Sequence, residues 1–474
     1  MIKQTKIVAT ISDRNCGIEF ITEMINAGVD VFRLNTAHQT PEITLEVINN
    51  IRAVSNSVGI LIDTKGPEVR TQKIDKDLEL KTGDRVSIVY AETGLNKDTD
   101  EVIIPVSYKD IAIDVSIGDV ILIDDGEISF KVVEKTTDKL YAITENDGIV
   151  KNKKSVNIPG VHLSLPALTE KDKQYICFAA ENDVDFIAHS FVRNADDIKE
   201  INEILDDFEH NVKIIAKIEN REGVQNSKKI LDACHGLMIA RGDLGIEIPA
   251  EEVPAIQKKL IKRCIKRAKP VITATQMLQS MIENPRPTRA EVSDVANAVL
   301  DGSAALMLSG ESAYGKYPVE AVQTMVKIAK AAEETSNGIM SHNMVGKSGG
   351  KVRKFLVKSA IEASEALPVK AIVVHTYSGL TARLVSSYRG KTPIYVKCHE
   401  QSIVRELSLS YGLYPELLDL PESTDDLISN AVRPLYEENI LGLDDLIVVL
   451  AGSPPLRTNE SNMMEINKVM KFIV

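Results

Sequence analysis

Short hydrophobic runs alternate along most of the chain with longer stretches in which apolar residues recur every three or four positions. The short runs predict buried strands, and the longer stretches predict amphipathic helices. Eight such strands begin near positions 6, 31, 59, 185, 213, 236, 270 and 304, each ahead of a helical pattern. Eight right-handed β/α units close into a TIM barrel. The pattern therefore predicts an α/β fold built on this barrel, and the even series of similar units disfavours the alternative of a doubly wound sheet.

The pattern changes between about residues 67 and 165, where alternating apolar and polar residues are separated by Gly and Asp-Gly turns. Such a pattern of strands and turns is typical of a small antiparallel barrel or sandwich. Because the helix–strand alternation then resumes, this β-rich lid domain is predicted to interrupt a barrel formed by residues 1–66 and 166–340. A linker-like stretch opens a third domain, predicted to be an α/β sandwich over residues 341–474.

Net charge, hydrophobicity and cysteine usage disfavour several kinds of partner and site. The 474-residue chain has a net charge of −12, which argues against nucleic acid or an anionic membrane as a general partner. We find no apolar run of the roughly 18 residues that a membrane helix needs, and no signal-peptide core at the start. The five cysteines are scattered without a CxxC pair. Disulfides and a zinc site are therefore disfavoured, and a cytoplasmic location is expected.

Polar or charged residues follow every predicted barrel strand, whereas the middle of each strand is apolar. In a TIM barrel the carboxyl ends of the strands form the face that carries the active site. The rim residues are Thr10, Arg33, Asn35, Asp63, Thr64, Lys65, Ser190, Lys217, Glu219, Arg241, Gly242, Asp243, Thr275, Ser309, Gly310 and Glu311. Any one of them could form an ordinary loop salt bridge, but the complete set predicts an active site.

Two pairs of charged residues at this rim indicate the chemistry. Lys217 and Glu219, like Arg241 and Asp243, are two residues apart at a strand end, so each pair is predicted to point to one side. Two carboxylates beside two cations suit a divalent metal that holds an anionic substrate. Because no Ser-His or Cys-His pairing is evident, this charge pattern favours phosphoryl transfer over acyl transfer.

Specific segments give the chain a resemblance to a known family. The segments are RLNTAH (33–38), LIDTKGPEVRT (61–71), LPALTEKD (165–172), FIAHSFVR (186–193), IIAKIENREG (214–223), IARGDLGIEIP (239–249), TATQMLQSMIENPRPTRAEVSDVANAVLDG (273–302) and MLSGESAYGKYP (307–318). They resemble the pyruvate kinase family, and the resemblance spans all three predicted domains. It implies transfer of the phosphoryl group of phosphoenolpyruvate to ADP, giving pyruvate and ATP in glycolysis, by an allosteric homotetramer.

The resemblance also implies roles for individual residues. Those implied as catalytic are Lys217, Arg33, Thr275, Ser309 and Glu311, with Lys217 on the transferring phosphoryl group and the enolate oxygen. Mg²⁺ is implied at Glu219 and Asp243, and the substrate is implied to contact Arg33, Lys217, Ala240, Arg241, Gly242, Asp243 and Thr275. The residues implied to bind the nucleotide are Asn35, His38, Arg70 and Lys171.

A monovalent-cation site resembles Asn35, Asp63 and the Thr64 carbonyl, so K⁺ is implied. Ala37 stands where the family commonly has a serine ligand, although Glu68 matches members that need K⁺. The hypothesis is that K⁺ is still required but has one side-chain ligand fewer. The chain also departs from the family near the nucleotide, at residues 12–15 and where Tyr314 replaces a usual lysine.

A turn in the third domain resembles the family's effector loop. HTYSGLTAR (375–383) follows a strand and opens a helix, a place where backbone amides bind phosphate. The implied effector residues are Thr376, Ser378, Gly379, Thr381 and Arg383, with Lys391 and the 453–457 loop as helpers. An ordinary αβ turn explains the segment equally well. Leu380 stands where a cation often appears, which favours a monophosphate over a bisphosphate.

Two other functions fit the same barrel. A Mg²⁺-dependent lyase would share the Lys-x-Glu and Asp strand ends, but it needs neither a nucleotide site nor the inserted lid. A non-catalytic binding protein would be free to lose Lys217 or Thr275, and both are present. The sequence therefore favours the kinase.

Overall fold

The first part of the chain alternates strand and helix as predicted. The computed structural model describes residues 2–37, 39–74, 76–92, 101–209, 212–335, 349–419, 424–452 and 462–473. The elements are β1 (Lys6–Ile11), α1 (Ile18–Ala27), β2 (Val31–Asn35), α2 (Pro41–Val54) and β3 (Gly59–Asp63). Thr40 caps α2 by accepting a hydrogen bond from the Ile43 amide, with Pro41 at the first helical position, the position at which proline costs no hydrogen bond.

A β-rich unit interrupts the alternation after β3. Its elements are β4 (Leu78–Leu80), β5 (Arg85–Tyr90), β6 (Val102–Val106), α3 (Ile111–Asp114), β7 (Val120–Ile123), β8 (Ile128–Lys135), β9 (Lys139–Thr144), β10 (Gly148–Val150) and β11 (Val156–Asn157). Six strands form an open sheet in the order β11-β7-β8-β9-β5-β6, and β10 pairs with β4. The β-rich insert is confirmed, but a wholly antiparallel unit is wrong because β5 and β6 pair in parallel. Turn signals locate strands without revealing which strands pair.

The helix–strand alternation then resumes, as predicted. The elements are α4 (Glu170–Glu181), β12 (Phe186–His189), α5 (Ala195–Leu205), β13 (Lys213–Ile218), α6 (Arg221–Ala233), β14 (Gly236–Ala240), α7 (Arg241–Glu247), α8 (Val253–Ile265), β15 (Val271–Ala274), α9 (Arg289–Leu300), β16 (Ala305–Leu308), α10 (Gly310–Ala313) and α11 (Pro318–Thr335). Eight parallel strands close in the order β1-β16-β15-β14-β13-β12-β3-β2. The TIM barrel is therefore confirmed and the doubly wound sheet excluded.

The last part of the described chain is an α/β domain. Its elements are α12 (Lys351–Ala366), β17 (Val369–Thr376), α13 (Leu380–Ser386), β18 (Ile394–Cys398), α14 (Gln401–Leu407), β19 (Leu413–Leu417), α15 (Thr424–Glu437), β20 (Leu446–Ala451), β21 (Met463–Lys468) and α16 (Met470–Ile473). The sheet order is β19-β18-β17-β20-β21. The sequence did not predict β19 or β21. Both are edge strands with mostly half-exposed residues, which weakens the hydrophobic pattern.

Residues of the C-terminal domain close the barrel at the amino ends of its strands. Leu409, just beyond α14, is fully buried with barrel-lining residues that include Leu61 and Phe186. Beside it, Arg405 donates from Nε to Asp185 Oδ1 at 2.6 Å and from Nη2 to Asp183 Oδ2 at 2.6 Å. This end is opposite the rim, so the C-terminal domain supports the barrel without covering the predicted site.

Replacing Arg405 with methionine is expected to lower the free energy of unfolding by about 1.5–3 kcal/mol, the range for a lost hydrogen bond to a charged group, because Asp185 keeps its ion pair with Arg52 at 2.8 Å. Only 5% of the Arg405 side chain and 4% of the Asp185 side chain are exposed. Denaturant titration would measure the change, with Arg85→Met as the control. Arg85 pairs with Glu134 on the surface, where such a pair contributes at most about 1 kcal/mol. Equal losses in both variants would contradict the prediction.

Two further expectations concern cysteines and membranes. All five cysteines are free thiols in the structure, and three of them are buried. Within the described ranges, no helix combines the length and the apolar character that crossing a membrane requires.

Candidate active site

Lys217 lies near the end of β13 and is the centre of the rim. Its Nζ is 2.8 Å from Ser190 Oγ, 3.1 Å from Asp63 Oδ1 and 3.0 Å from Glu219 Oε1. Burial acts to lower the pKa of Lys217, but the carboxylates of Asp63 and Glu219 outweigh it and raise that pKa above its usual range. The ammonium group therefore stays charged at any physiological pH.

Asp63 holds a second cation beside Lys217. The Arg33 Nε and Nη2 atoms each lie 2.6 Å from Asp63 Oδ2, and Arg33 Nη1 donates to Thr10 Oγ1 at 3.0 Å. Burial acts to raise the pKa of Asp63, but Lys217 and Arg33 lower it overall. Asp63 is therefore an ionised anchor that fixes both cations at the same strand ends.

Glu219 and Asp243 form a carboxylate pair close to Lys217. Glu219 Oε2 accepts a 2.6 Å hydrogen bond from the Phe191 amide, whereas the buried Oε1 atom accepts no hydrogen bond and has only its ion-pair contact with Lys217. Burial raises the pKa of both carboxyls, and the charge of Asp243 raises that of Glu219 further. Two buried carboxyls that resist joint ionisation fit a site for a cation.

The donor set suits Mg²⁺ in particular. No three His, Cys, Asp or Glu side chains in the described part of the chain converge as a metal site, so the protein offers two carboxylates here. Mg²⁺ is usually bound by one or two carboxylates together with water and substrate oxygens. A site of this kind leaves coordination positions that water fills and that an anionic substrate can take over.

The predicted side-by-side orientation of Arg241 and Asp243 is wrong. Strand β14 ends at Ala240, and both residues lie in α7, where side chains two positions apart diverge. Arg241 Nη1 donates to Asp294 Oδ1 at 2.7 Å and Nη2 to the Thr275 carbonyl at 2.9 Å. The guanidinium thus ties α7 to α9 and to the end of β15, away from Lys217.

Thr275 directly follows β15, which ends at Ala274. Thr275 and Gln276 have φ values of 68° and 55°, a left-handed conformation that no strand can include. The Gly242 amide donates to Thr275 Oγ1 at 2.8 Å, and that hydroxyl donates to the Ala274 carbonyl at 2.6 Å. The backbone at Gly242, a residue implied to contact the substrate, therefore lies directly against Thr275.

Glu311 is fully buried and braces two neighbouring loops. Its Oε1 accepts from the Leu278 amide at 3.0 Å and its Oε2 from the Ser309 amide at 2.8 Å. Because both oxygens are bonded to main chain, Glu311 positions Ser309 and the loop after Thr275. The implied catalytic roles of Thr275 and Ser309 stay a prediction.

The predicted cation and nucleotide residues lie on the β2 and β3 side of the rim. Asn35 Oδ1 accepts from the Ala37 amide at 3.1 Å, and Lys171 Nζ donates to the Ala37 carbonyl at 3.3 Å. The Thr64 carbonyl accepts from Ser190 Oγ at 2.7 Å. His38 lies outside the described residues.

Glu68 and Arg70 project from the start of the lid. Arg70 Nε donates to Glu68 Oε2 at 2.6 Å, and Nη1 donates to the Lys153 carbonyl at 2.7 Å. Glu68 is therefore an ion-paired residue and not a solvated loop charge. Both side chains line the same cleft as the rim residues Asn35, Asp243 and Thr275.

A cleft of about 970 Å³ lies between the lid and the barrel rim. Its lining brings together residues from separate segments, among them Asn35, Glu68, Arg70, Asp243, Thr275 and Tyr314. Ligand pockets usually fall between about 300 and 1,000 Å³. The cleft is therefore large enough for a small acid and a nucleotide together.

The predicted effector loop shows a different arrangement. Gly379 precedes α13 with a φ of 70°, while the side chains of Thr376 and Thr381 are buried. Arg383 donates to the Ser378 carbonyl at 3.2 Å and pairs with Glu406. Its guanidinium is therefore already engaged, and an effector site here stays a prediction. The helper loop 453–457 lies outside the described residues.

Two residues that touch the central cluster had no assigned role in the sequence analysis. Ser190 contacts Lys217, and Phe191 donates its amide to Glu219 from a backbone with a φ of 56°. Ser190 was noted only as a polar residue after β12. Its position at a strand end was the available signal, but the sequence does not show which neighbouring strand its hydroxyl faces.

Comparison with known proteins gives one consistent result. The model described as "Pyruvate kinase, barrel domain" matches residues 2–322, and "Pyruvate kinase, alpha/beta domain" matches residues 354–467. A protein of Borreliella burgdorferi named pyruvate kinase is 46% identical, over 98% of this chain and 98% of that relative. Pyruvate kinase of Bacillus licheniformis is 46% identical over 95% and 78%, and that of Geobacillus stearothermophilus is 44% identical over 100% and 81%.

Proposed function

The chain belongs to the pyruvate kinase family, and we propose that it transfers the phosphoryl group of phosphoenolpyruvate to ADP, giving pyruvate and ATP. The protein is a phosphotransferase. The observation that carries the proposal for this site is the Lys217 ammonium, which lies at the carboxyl rim in contact with Asp63 and Glu219. Such fixed charge stabilises the charge that develops during phosphoryl transfer.

Mg²⁺ held by Glu219 and Asp243 is part of the proposal. The support is the buried Glu219 Oε1 atom, which accepts no hydrogen bond, and the burial that raises the pKa of both carboxyls. When bound, the ion would supply positive charge that offsets the charge of the substrate carboxylate and phosphoryl oxygens.

The remaining steps of the reaction are assigned to individual side chains. Lys217 faces the transferring phosphoryl group and then the enolate oxygen, and its raised pKa makes it a charge stabiliser and not a proton donor. Arg33, fixed on Asp63, orients the phosphoryl group. A threonine hydroxyl is no acid at neutral pH, so Thr275 and Ser309 would align the water that delivers a proton to the enolate carbon. Small residues at Ala240 and Gly242 let the main chain approach the carboxylate.

K⁺ is proposed at Asn35, Asp63 and the Thr64 carbonyl, because hard oxygen ligands suit such a cation. Replacing K⁺ and Na⁺ with tetramethylammonium at constant ionic strength is expected to lower kcat several-fold, since the site would lack its counter-charge. Readdition of KCl should restore turnover in steady-state assays. Undiminished kcat without K⁺ would contradict the prediction.

Nucleotide binding by Asn35, His38, Arg70 and Lys171 is proposed as well. The support is that Asn35 and Arg70 line one cleft and that Lys171 contacts the Ala37 loop. A homotetramer and a phosphorylated effector at residues 376–383 are proposed from the family resemblance. A cytoplasmic location is proposed from the scattered cysteines, and the domain boundaries at residues 66, 165 and 340 are proposed from the changes of pattern along the chain.

A coupled assay tests the proposal directly. Pyruvate should form from phosphoenolpyruvate only when ADP and Mg²⁺ are both present, and ATP should appear in equal amount. A lyase would release pyruvate without ADP, and a binding protein would release none. Glu68 and Arg70 of the lid line the cleft, which favours the reaction that uses a second substrate.

A further inference from the structure

Ser190 is a buried residue at the centre of the site. It follows β12 directly, and only 2% of it is exposed. Its Oγ donates to the Thr64 carbonyl at 2.7 Å and accepts from Lys217 Nζ at 2.8 Å. Because a hydroxyl has a single proton, commitment of that proton to Thr64 leaves the lone pairs of Oγ directed to Lys217.

Lys217 needs such a partner because its ammonium group is not rigid by itself. A lysine side chain has a flexible stem of four carbons, and its ammonium group has three equivalent N–H donors. Asp63 and Glu219 attract the charge, but Asp63 is also bound by Arg33 and Glu219 is a proposed metal ligand. Ser190 is the uncharged contact among the three. Its Oγ also lies 3.3 Å from Asp63 Oδ1, but the shorter hydrogen bond to the Thr64 carbonyl takes its single proton, so Oγ can fix the direction of the ammonium group as an acceptor.

The position of Ser190 is itself held on several sides. The Ser190 amide donates to Thr64 Oγ1 at 3.1 Å, and that hydroxyl lies 3.3 Å from His189 Nδ1. A Cβ atom at Gly66 would lie 2.9 Å from Ser190 Cβ, so Gly66, where the chain enters the lid, packs closely against the serine. These contacts join the ends of β3 and β12, which gives Ser190 Oγ little freedom to move.

We infer that Ser190 is a positioning residue that holds the Lys217 ammonium in line with the transferring phosphoryl group. The inference rests on the proposed function. Ser190 acts through Lys217, so its loss should slow the reaction step and leave substrate and metal binding nearly intact. Positioning errors of about 1 Å cost roughly 100-fold in rate, which sets the size of the effect.

The test compares Ser190→Ala and Ser190→Cys with the control Ser303→Ala. Ser303 is also a buried serine with a hydroxyl partner, Thr273 Oγ1 at 2.7 Å, but it lies at the amino end of the barrel. Ser190→Ala is expected to lower kcat by roughly 10- to 100-fold, with the KM for phosphoenolpyruvate and the Mn²⁺ affinity changed less than about threefold. Ser190→Cys should be intermediate, since a thiol is a weaker acceptor, and Ser303→Ala should match the native enzyme.

Three results would overturn the inference. The first is a kcat for Ser190→Ala within about threefold of the native value. The second is an equal loss of kcat in Ser303→Ala, and the third is a parallel loss of Mn²⁺ binding in Ser190→Ala, measured by electron paramagnetic resonance. A crystal structure of Ser190→Ala adds a test independent of turnover. The Lys217 Nζ atom should be displaced or disordered there, and an unchanged Nζ position overturns the inference. Failure of the native protein to form pyruvate would instead reject the proposed function.

Discussion

Replacement of Lys217 with methionine is expected to lower kcat by roughly 100- to 1,000-fold, because one electrostatic stabiliser of this kind contributes about 3–4 kcal/mol to the transition state. Methionine keeps most of the length of the side chain and removes only the charge. The KM for phosphoenolpyruvate should change far less than kcat if the ammonium acts mainly on charge that develops in the transition state. Steady-state kinetics at saturating Mg²⁺ would measure both.

Lys213→Met is the matched control for Lys217→Met. Lys213 begins the same strand and lies 3.4 Å from Glu406 at the opposite end of the barrel. The control should keep kcat near the native value even if it loses some stability. A kcat for Lys217→Met within about tenfold of native would contradict the assigned role of the ammonium.

Mg²⁺ binding is expected to tighten as pH rises, with a proton released on binding. Burial raises the pKa of Glu219 and of Asp243, so below those pKa values a proton occupies the site that the metal must displace. The apparent affinity should increase up to about tenfold per pH unit and level off once both carboxyls are ionised. Titration calorimetry in buffers with different ionisation enthalpies would count the released protons.

The same pKa shifts predict how the metal-free protein responds to pH. The folded state binds more protons than the unfolded state between the unfolded and the raised folded pKa, so stability falls as pH rises through that window. Glu219→Gln should therefore remove part of this fall in stability with pH. It should also abolish most of the proton release on Mg²⁺ binding and weaken that binding by roughly 10- to 100-fold.

Glu222→Gln is the control for Glu219→Gln. Glu222 lines the same cleft and pairs with His162 at 2.9 Å, but it lies apart from the Lys217 cluster. Its replacement should leave Mg²⁺ affinity and proton release unchanged. A native Mg²⁺ affinity that does not vary between about pH 6 and 8 would contradict the predicted proton linkage.

The barrel could be predicted from sequence because its signal is local. Strands such as Ile214–Ile218 are nearly continuous apolar runs, as expected for strands buried on both faces, and capped helices separate them. Once the barrel is predicted, the residues of its rim are predicted too, because side chains at the carboxyl ends of the strands converge there. For this reason the sequence predicts that Lys217, Glu219 and Asp63 lie at the same rim.

The errors arose where distant residues decide local geometry. Arg241 was assigned to a strand end, but α7 begins there and Asp294 and the Thr275 carbonyl draw its guanidinium away. Nothing in the sequence reveals the left-handed backbone at Thr275 and Gln276, which ends β15. Likewise, the contact between Ser190 and Lys217 depends on how neighbouring strands are staggered.

Leu409 makes the lower layer of the barrel dependent on a domain that is synthesised after it. A ribosome releases all eight barrel strands before it releases Leu409, so the nascent barrel has an uncovered apolar floor until the segment that carries Leu409 has been translated. Completion of the barrel core is thereby deferred until that segment is released. A gene fragment that encodes only the catalytic part would leave the apolar floor of the barrel exposed to solvent.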